Sequence, residues 1–123
     1  MSVRVLIVDD QEPFRLAARM VVELTDGFEV IGEAETGEAS VALTRELEPD
    51  LVLMDVNLPG IDGLEATRQI LAANRGVRVL MLSTYEPEEY APRAKSAGAV
   101  DYLPKSSFGP DTLMEVWQAA TAA

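Results

Sequence analysis

Residues 51–60 constrain the fold of this chain more than any other stretch. Four consecutive apolar residues lead directly into Asp55, and a Pro-Gly turn follows at Pro59 and Gly60. A segment that is apolar at every position, and not at every second one, is typical of a strand covered on both faces. Asp55 is therefore predicted to lie where a buried strand leaves the core, with its carboxylate directed into a crevice. A lone aspartate there is more often a helix cap or a turn residue, so a functional interpretation depends on its neighbours.

A buried strand followed by an amphipathic helix occurs five times along the sequence. The predicted strands are residues 3–8, 28–32, 51–55, 77–82 and 100–104. Strands that alternate with helices predict an α/β fold, with a parallel sheet covered by helices on both faces. A doubly wound, five-stranded sheet in the order 2-1-3-4-5 is the favoured arrangement. Its switch point, where ligands bind at the carboxyl ends of the strands, lies between the first and third strands.

Composition limits the classes of protein to which the chain can belong. The 123 residues, 48% of them hydrophobic, predict one domain across residues 1–123 with no output domain in this chain. There is no cysteine, and no apolar run approaches the roughly 20 residues of a membrane span, so a soluble, cytoplasmic protein without membrane contact is expected. The formal charge of -11 disfavours direct binding to nucleic acid, because phosphate backbones attract cationic surfaces. Since histidine is also absent, chemistry must use carboxylates, hydroxyls, lysine or a metal.

Polar side chains follow four of the predicted strands. In chain order they are Asp9 and Asp10, Asp55, Ser83, and Lys105. The first and third strands are neighbours in the predicted sheet, so three carboxylates are expected to converge at the switch point. At ~4 Å and an effective dielectric of ~20, each pair of charges repels by about 4 kcal/mol, and the cluster must bind a proton, a cation or both. Oxygen donors select a hard divalent ion, of which Mg2+ keeps waters and accepts a phosphoryl oxygen.

The remaining groups fit phosphoryl transfer. An aspartate carboxylate can act as the nucleophile and form an acyl phosphate. A metal and an ammonium group then neutralise the charge on the equatorial oxygens. Lys105 supplies the ammonium, and Ser83 supplies a hydroxyl able to donate to a phosphoryl oxygen.

Each residue alone has an ordinary structural explanation. An Asp-Asp pair after a strand is more often a cap and a turn. Ser83 and Thr84 serve equally well as caps for the fourth helix, Lys105 alone is a solvated lysine, and Tyr102 alone is half-buried packing. Their joint occurrence at four strand ends of one predicted sheet favours a functional site.

With these residues in place, the sequence resembles the receiver domains of bacterial two-component response regulators, closest to the NarL/FixJ branch. The resemblance runs from residue 3 to about residue 120. It rests on Asp9-Asp10 after the first strand, Asp55 within Leu-Met-Asp-Val-Asn-Leu-Pro-Gly-Ile-Asp-Gly, Ser83 after Val-Leu-Met-Leu, and Tyr102-Leu-Pro-Lys105. The fold it implies is the flavodoxin-like, CheY-like 2-1-3-4-5 sheet.

The resemblance implies that Asp55 accepts a phosphoryl group from a sensor histidine kinase. The domain would then switch conformation and control an output, such as transcription through a DNA-binding domain absent from this chain. Lys105 would pair with Asp55 and then with the phosphate, Ser83 would follow the phosphate, and Tyr102 would reorient with it. The domain would be a phosphoacceptor that assists its own phosphorylation and dephosphorylation, not an enzyme, and a phosphorylation-dependent homodimer is a further expectation.

The resemblance also implies a metal site and two residues that tune the lifetime of the acyl phosphate. Asp10, Asp55 and the backbone carbonyl of Asn57 would bind Mg2+ or Mn2+, with Asp9 reaching it through a water. Asn57 and Tyr85 occupy positions that resemble those tuning the lifetime of the acyl phosphate.

Two departures from the receiver pattern concern details of the fold. Pro92 lies inside the predicted fourth helix, residues 88–97, so that helix is expected to start late or to bend. Lys105 is followed by Ser106, where many receivers have proline. A cis bond there would lack the low energetic cost of a cis bond before proline. With a trans bond, Lys105 would approach the site differently from the receivers that have proline.

Three other functions compete with this interpretation. A haloacid-dehalogenase-like phosphatase also uses a strand-terminal aspartate with Mg2+, but it places a second aspartate where this chain has Asn57, and a cap domain has no room. A flavodoxin-like nucleotide or flavin binder needs a phosphate-cradling loop after the first strand, where the acids within residues 9–12 would repel phosphate. A receiver-like interaction module that never takes phosphate is disfavoured by the complete set of acids, hydroxyl and lysine.

Overall fold

The computed structural model describes residues 2–122 and has five strands alternating with five α-helices. The strands are β1 (Val3–Val8), β2 (Phe28–Ala34), β3 (Leu51–Asp55), β4 (Arg78–Ser83) and β5 (Asp101–Pro104). The helices are α1 (Glu12–Leu24), α2 (Gly37–Leu47), α3 (Gly63–Ala73), α4 (Pro87–Ala97) and α5 (Pro110–Thr121), and a 3-10 turn spans Lys105–Ser107. Within residues 2–122 no helix is both long and apolar enough to cross a membrane.

All strand pairs are parallel, and the sheet order is β2-β1-β3-β4-β5, as the sequence predicts. Val8 aligns with Met54 across the central pair, and Asp55 aligns with Leu82. The ends of β1, β3 and β4 therefore lie side by side at one edge of the sheet. Pro104 lies on the outermost strand, where its missing amide donor breaks no central ladder.

Helices cover both faces of the sheet, as predicted, because strand side chains alternate between two apolar clusters. Along β4, Val79 and Met81 join the cluster beneath α2, α3 and α4, and Leu80 and Leu82 join the cluster beneath α1 and α5. Every residue of β3 is buried. The position of β3 at the centre of the sheet explains why its sequence is apolar at every position before Asp55.

The first helix ends differently from the sequence-based expectation. The Asp26-Gly27 pair in the sequence predicts a left-handed glycine cap for α1, but the helix ends at Leu24 with an extended Thr25 as its cap. The Thr25 amide donates to the Val22 carbonyl, and its hydroxyl donates to the Val21 carbonyl at 2.7 Å. These bonds satisfy the last turn, and Gly27, with φ of 85°, leads the chain into β2.

The fourth helix contradicts one of its two predicted alternatives, the late start. It does not start late, because Pro87 occupies the first turn, where a proline amide is not needed. The helix then runs through Pro92 to Ala97. Gly98 ends it in the left-handed conformation, with φ of 103°.

Pro92→Ala is expected to stabilise the domain. Proline inside a helix removes one hydrogen bond and crowds the preceding turn, at a cost of ~3 kcal/mol. The gain is reduced by up to about 1 kcal/mol, because alanine makes the unfolded chain more flexible. We therefore expect urea denaturation, followed by circular dichroism, to show a rise of about 2 kcal/mol in the free energy of unfolding. The matched control, Pro87→Ala at the helix start, should give no gain, and an equal gain in both variants would contradict this explanation.

Candidate functional site

Acidic side chains meet at the carboxyl edge of β1 and β3. Asp9 and Asp10 follow β1, and Asp55 is the last residue of β3. One carboxylate oxygen of each lies within 4.8 Å of the other two. Asp9 and Asp55 are buried, with 1% and 6% of their surface exposed, whereas Asp10 is exposed. The three acids that the sequence predicts to converge do lie together, and Asp10 faces the open side of the cluster.

The Lys105 ammonium lies against this cluster. Its Nζ atom is 2.6 Å from Oδ2 of Asp9 and 3.7 Å from Oδ1 of Asp55, and only 12% of the side chain is exposed. Asp9, and not Asp55, is thus the closer partner in this structure. No peptide bond is cis within residues 2–122, so the bond to Ser106 is trans, and the ammonium reaches the acids with that geometry.

Asp55 is a carboxyl group whose charge is poorly compensated. Burial raises its pKa from 3.8 to about 6, and the negative charge of Asp9 adds to the rise. The Lys105 ammonium and the backbone amide of Asn57 lower the pKa, but they only partly offset the rise. An additional cation near Asp55 would therefore stabilise its ionised form.

Stability should depend on pH through Asp55. Because its folded pKa lies above its unfolded value, the folded state holds the proton more tightly, and stability falls as the pH rises from about 3.8 to about 6. A shift of about 2 units corresponds to ~3 kcal/mol. With EDTA present, Asp55→Asn should match the wild type near pH 4 and exceed its free energy of unfolding by about 3 kcal/mol at pH 7. Urea denaturation across this range measures the difference, and a constant difference would contradict the assignment.

A glycine after the loop fixes the backbone of Asp55. Gly63 begins α3, and its amide donates to the Val56 carbonyl at 2.8 Å. A Cβ atom at Gly63 would lie 2.0 Å from the backbone oxygen of Asp55, so a larger residue cannot fit without moving β3 or α3. From the sequence alone, Gly63 is typical of the turn that follows the third strand. Its position at the start of a helix, where stronger helix formers are usual, is the signal that distinguishes it.

The loop between β3 and α3 has a second support. Oε2 of Glu38, in the first turn of α2, accepts a hydrogen bond of 3.1 Å from the Ile61 amide. Gly37 packs so closely on Ile61 that a Cβ atom there would lie 2.5 Å from its carbonyl oxygen. These contacts hold the loop that carries Asn57, and no local pattern in the sequence predicts them.

Ser83 and Tyr102 both form hydrogen bonds with the backbone of Tyr85. Ser83 is buried at the end of β4, and its hydroxyl accepts a hydrogen bond of 3.2 Å from the Tyr85 amide. The hydroxyl of Tyr102 donates to the Tyr85 carbonyl at 2.7 Å, and this ring is buried. Thr84 is exposed, so Ser83 is the inward-facing hydroxyl of the two. Burial raises the pKa of Tyr102, so its phenol stays protonated and able to donate.

Comparison with known proteins identifies the family. The model of the response regulator receiver domain matches residues 5–118. The chain belongs to this family. Response regulator GacA of Pseudomonas viridiflava is 41% identical to this receiver over 105 residues, which make up 85% of the chain and 49% of that protein. The receiver thus spans about half the length of this curated relative.

Solved structures place the receiver in the NarL/FixJ-like branch. A two-component response regulator of the LuxR family from Aurantimonas sp. SI85-9A1 has a TM-score of 0.88 and 34% identity, over 98% of this chain and 85% of that one. The receiver domain of the putative response regulator NarL from Mycobacterium tuberculosis has a TM-score of 0.90 and 29% identity, over 99% and 98% of the two chains. Both likenesses agree with the predicted fold and branch.

Proposed function

We propose that this receiver accepts a phosphoryl group on Asp55 from a sensor histidine kinase, in a Mg2+-dependent reaction, and changes conformation to control an output. One observation carries the proposal. A buried carboxylate with a raised pKa ends the central strand, and two further carboxylates and an ammonium surround it. This is the combination of nucleophile, cation site and fixed positive charge that phosphoryl transfer needs.

The donor set fits a hard divalent cation. The available ligands are carboxylate and carbonyl oxygens, which suit Mg2+ or Mn2+. Asp10, Asp55 and the backbone carbonyl of Asn57 would hold the ion, and Asp9 would reach it through a water. When bound, the ion supplies positive charge to the phosphoryl oxygens.

The chain's own residues would carry the transfer. A carboxylate oxygen of Asp55 attacks phosphorus, and the bond from phosphorus to the leaving group breaks as the new O–P bond forms. At neutral pH, above its pKa of about 6, Asp55 is mostly ionised and able to attack. Lys105 then neutralises negative charge on the transferred group, which adds up to about two charges to the site.

The conformational response would run through Ser83 and Tyr102. The Ser83 hydroxyl can donate to a phosphoryl oxygen, and a shift toward the phosphate would remove it as acceptor for the Tyr85 amide. The Tyr85 carbonyl is in turn the acceptor for Tyr102. Phosphorylation would therefore bias the position of the Tyr102 ring through the backbone of Tyr85. Asn57 and Tyr85 would tune the lifetime of the acyl phosphate.

The proposed setting is a cytoplasmic transcriptional regulator whose output domain binds DNA. GacA, the relative described above, is named a response regulator, and this receiver matches about half of its length. The receiver itself would be a phosphoacceptor and not an enzyme, without direct contact to nucleic acid or membrane.

Phosphorylation-dependent pairing with a second copy completes the proposal. Helix α1 exposes Leu16, Met20 and Leu24, which follow one another at four-residue spacing on one side of the helix. Exposed apolar side chains on one helix face favour a helix-to-helix contact. Light scattering with and without acetyl phosphate tests this, and an unchanged monomer mass would count against it.

The chemistry of the phosphorylated protein tests the central proposal. After incubation with acetyl phosphate and Mg2+, hydroxylamine at neutral pH should release the phosphate, because it cleaves acyl phosphates and not serine or tyrosine esters. The receiver should also fail to turn over p-nitrophenyl phosphate. Sustained release of nitrophenol, dependent on Asp55, would instead indicate a phosphatase.

A further inference from the structure

We infer that Phe14 is a positioning residue for Lys105, holding its ammonium where it can serve Asp55; this inference rests on the proposed function. The Nζ atom of Lys105 lies 4.3 Å from the centre of the Phe14 ring. Within ~6 Å of an aromatic face, a cation is attracted by the ring's quadrupole. Phe14 belongs to the first turn of α1, far from Lys105 along the chain.

The ammonium needs such a contact because its two acidic partners lie at different distances from it. Oδ2 of Asp9 is 2.6 Å away, whereas Oδ1 of Asp55 is 3.7 Å away. A lysine side chain is a flexible four-carbon stem carrying a compact charge, so the two acids alone do not fix where the ammonium lies. The Phe14 ring bounds the ammonium on a third side. Its attraction has no fixed hydrogen-bond direction, so the charge can move between Asp9 and a phosphoryl group while staying over the ring.

The ring is itself held in place. The next residue, Arg15, donates to the Asp9 carbonyl at 2.7 Å and pairs with Glu33 at 3.1 Å. These contacts tie the first turn of α1 to the ends of β1 and β2. Phe14 also packs against the apolar cluster beneath α1 and α5. The ring therefore keeps a fixed relation to the acids that Lys105 must serve.

The alternative is that Phe14 only fills space beside the core. Phe14→Leu and Phe14→Met separate the two roles, because both keep an apolar side chain and remove the aromatic face. Phe14→Tyr keeps the face. If Phe14 positions Lys105, the leucine and methionine variants should lower the maximal rate of phosphorylation by acetyl phosphate about tenfold, and tyrosine should restore it. The Mg2+ concentration giving half-maximal rate should stay unchanged, because the Phe14 side chain has no oxygen atom to offer the ion.

A nuclear magnetic resonance measurement tests the geometry without phosphorylation. The chain has two lysines, Lys95 and Lys105, so lysine labelled with carbon-13 at the ε position gives two signals. Lys95 is exposed and serves as the reference. The ε-protons of Lys105 should be shifted upfield by the ring current of Phe14, and this shift should vanish in Phe14→Leu and persist in Phe14→Tyr.

The outcomes separate the inference from the proposed function. An upfield shift that depends on the ring, with slower phosphorylation of the leucine and methionine variants and rescue by tyrosine, supports the inference. A wild-type Lys105 signal without the shift overturns it, whether or not the variants fold. Equal phosphorylation rates in wild type and folded leucine variant also overturn it. If wild type shows the shift but takes no phosphate, the proposed function fails, and the placing of Lys105 by Phe14 survives only as a structural contact.

Discussion

Lys105→Met is expected to slow the phosphorylation of Asp55 about a hundredfold or more, while Mg2+ still binds. The ammonium is the fixed positive charge next to Asp9 and Asp55, and methionine keeps much of the stem without the charge. Loss of one preorganised group that stabilises developing charge typically costs ~10²–10³ in rate. The rate constant at saturating acetyl phosphate, followed by intact mass, gives the comparison.

The same substitution should act in the opposite direction on the metal. An ammonium beside three carboxylates repels a divalent cation, so its removal should leave Mg2+ affinity unchanged or make it tighter. Lys95→Met is the matched control, since Lys95 is the other lysine and lies exposed on α4. A variant that phosphorylates at the wild-type rate, or one that loses rate only because it loses Mg2+, would contradict the role given to Lys105.

Asp10→Asn is expected to weaken Mg2+ binding at least about tenfold and to remove phosphorylation at low millimolar Mg2+. Asp10 is the informative acid because it is exposed and faces the open side of the cluster. Asp9, by contrast, also accepts a hydrogen bond from the Gln11 amide at 2.8 Å, so its replacement would disturb the start of α1. Asparagine keeps the size of Asp10 and removes only its charge.

Isothermal titration calorimetry with Mg2+ measures this effect directly. Asp26→Asn is the control, because Asp26 is an exposed acid in the turn before β2, at the opposite edge of the sheet. The two variants change the net charge equally, so only a local effect distinguishes them. Equal Mg2+ affinity in the two variants would contradict the assignment of the three-carboxylate cluster as the metal site.

The sheet and the meeting of the acids could be predicted from local sequence signals. A fully apolar strand followed by Asp55 has few structural solutions, and the alternation of strands and helices determines which strand ends share an edge. Asp9, Asp10 and Lys105 follow from that edge, since each comes directly after a strand. Their placement needed only the chain order and the sheet order.

The remaining features depend on contacts between distant segments. The cap of α1 is a local exception, because the amide and hydroxyl of Thr25 donate to the nearby Val22 and Val21 carbonyls. The contact between Phe14 and Lys105 and the tight fit of Gly63 on the Asp55 carbonyl arise only when α1, α3 and β5 are packed together. Residue spacing along the chain carries no information about such distances.

The most direct test of the central claim is the intact mass of the protein after incubation with acetyl phosphate and Mg2+. We expect the wild type to gain one phosphoryl group, and we expect no gain in Asp55→Asn or when EDTA is present. The asparagine variant keeps the shape of the site and removes only the nucleophile. A wild type that gains no phosphate under these conditions or from a cognate kinase, or an Asp55→Asn variant that gains it equally, would contradict the assignment of Asp55 as the phosphoacceptor.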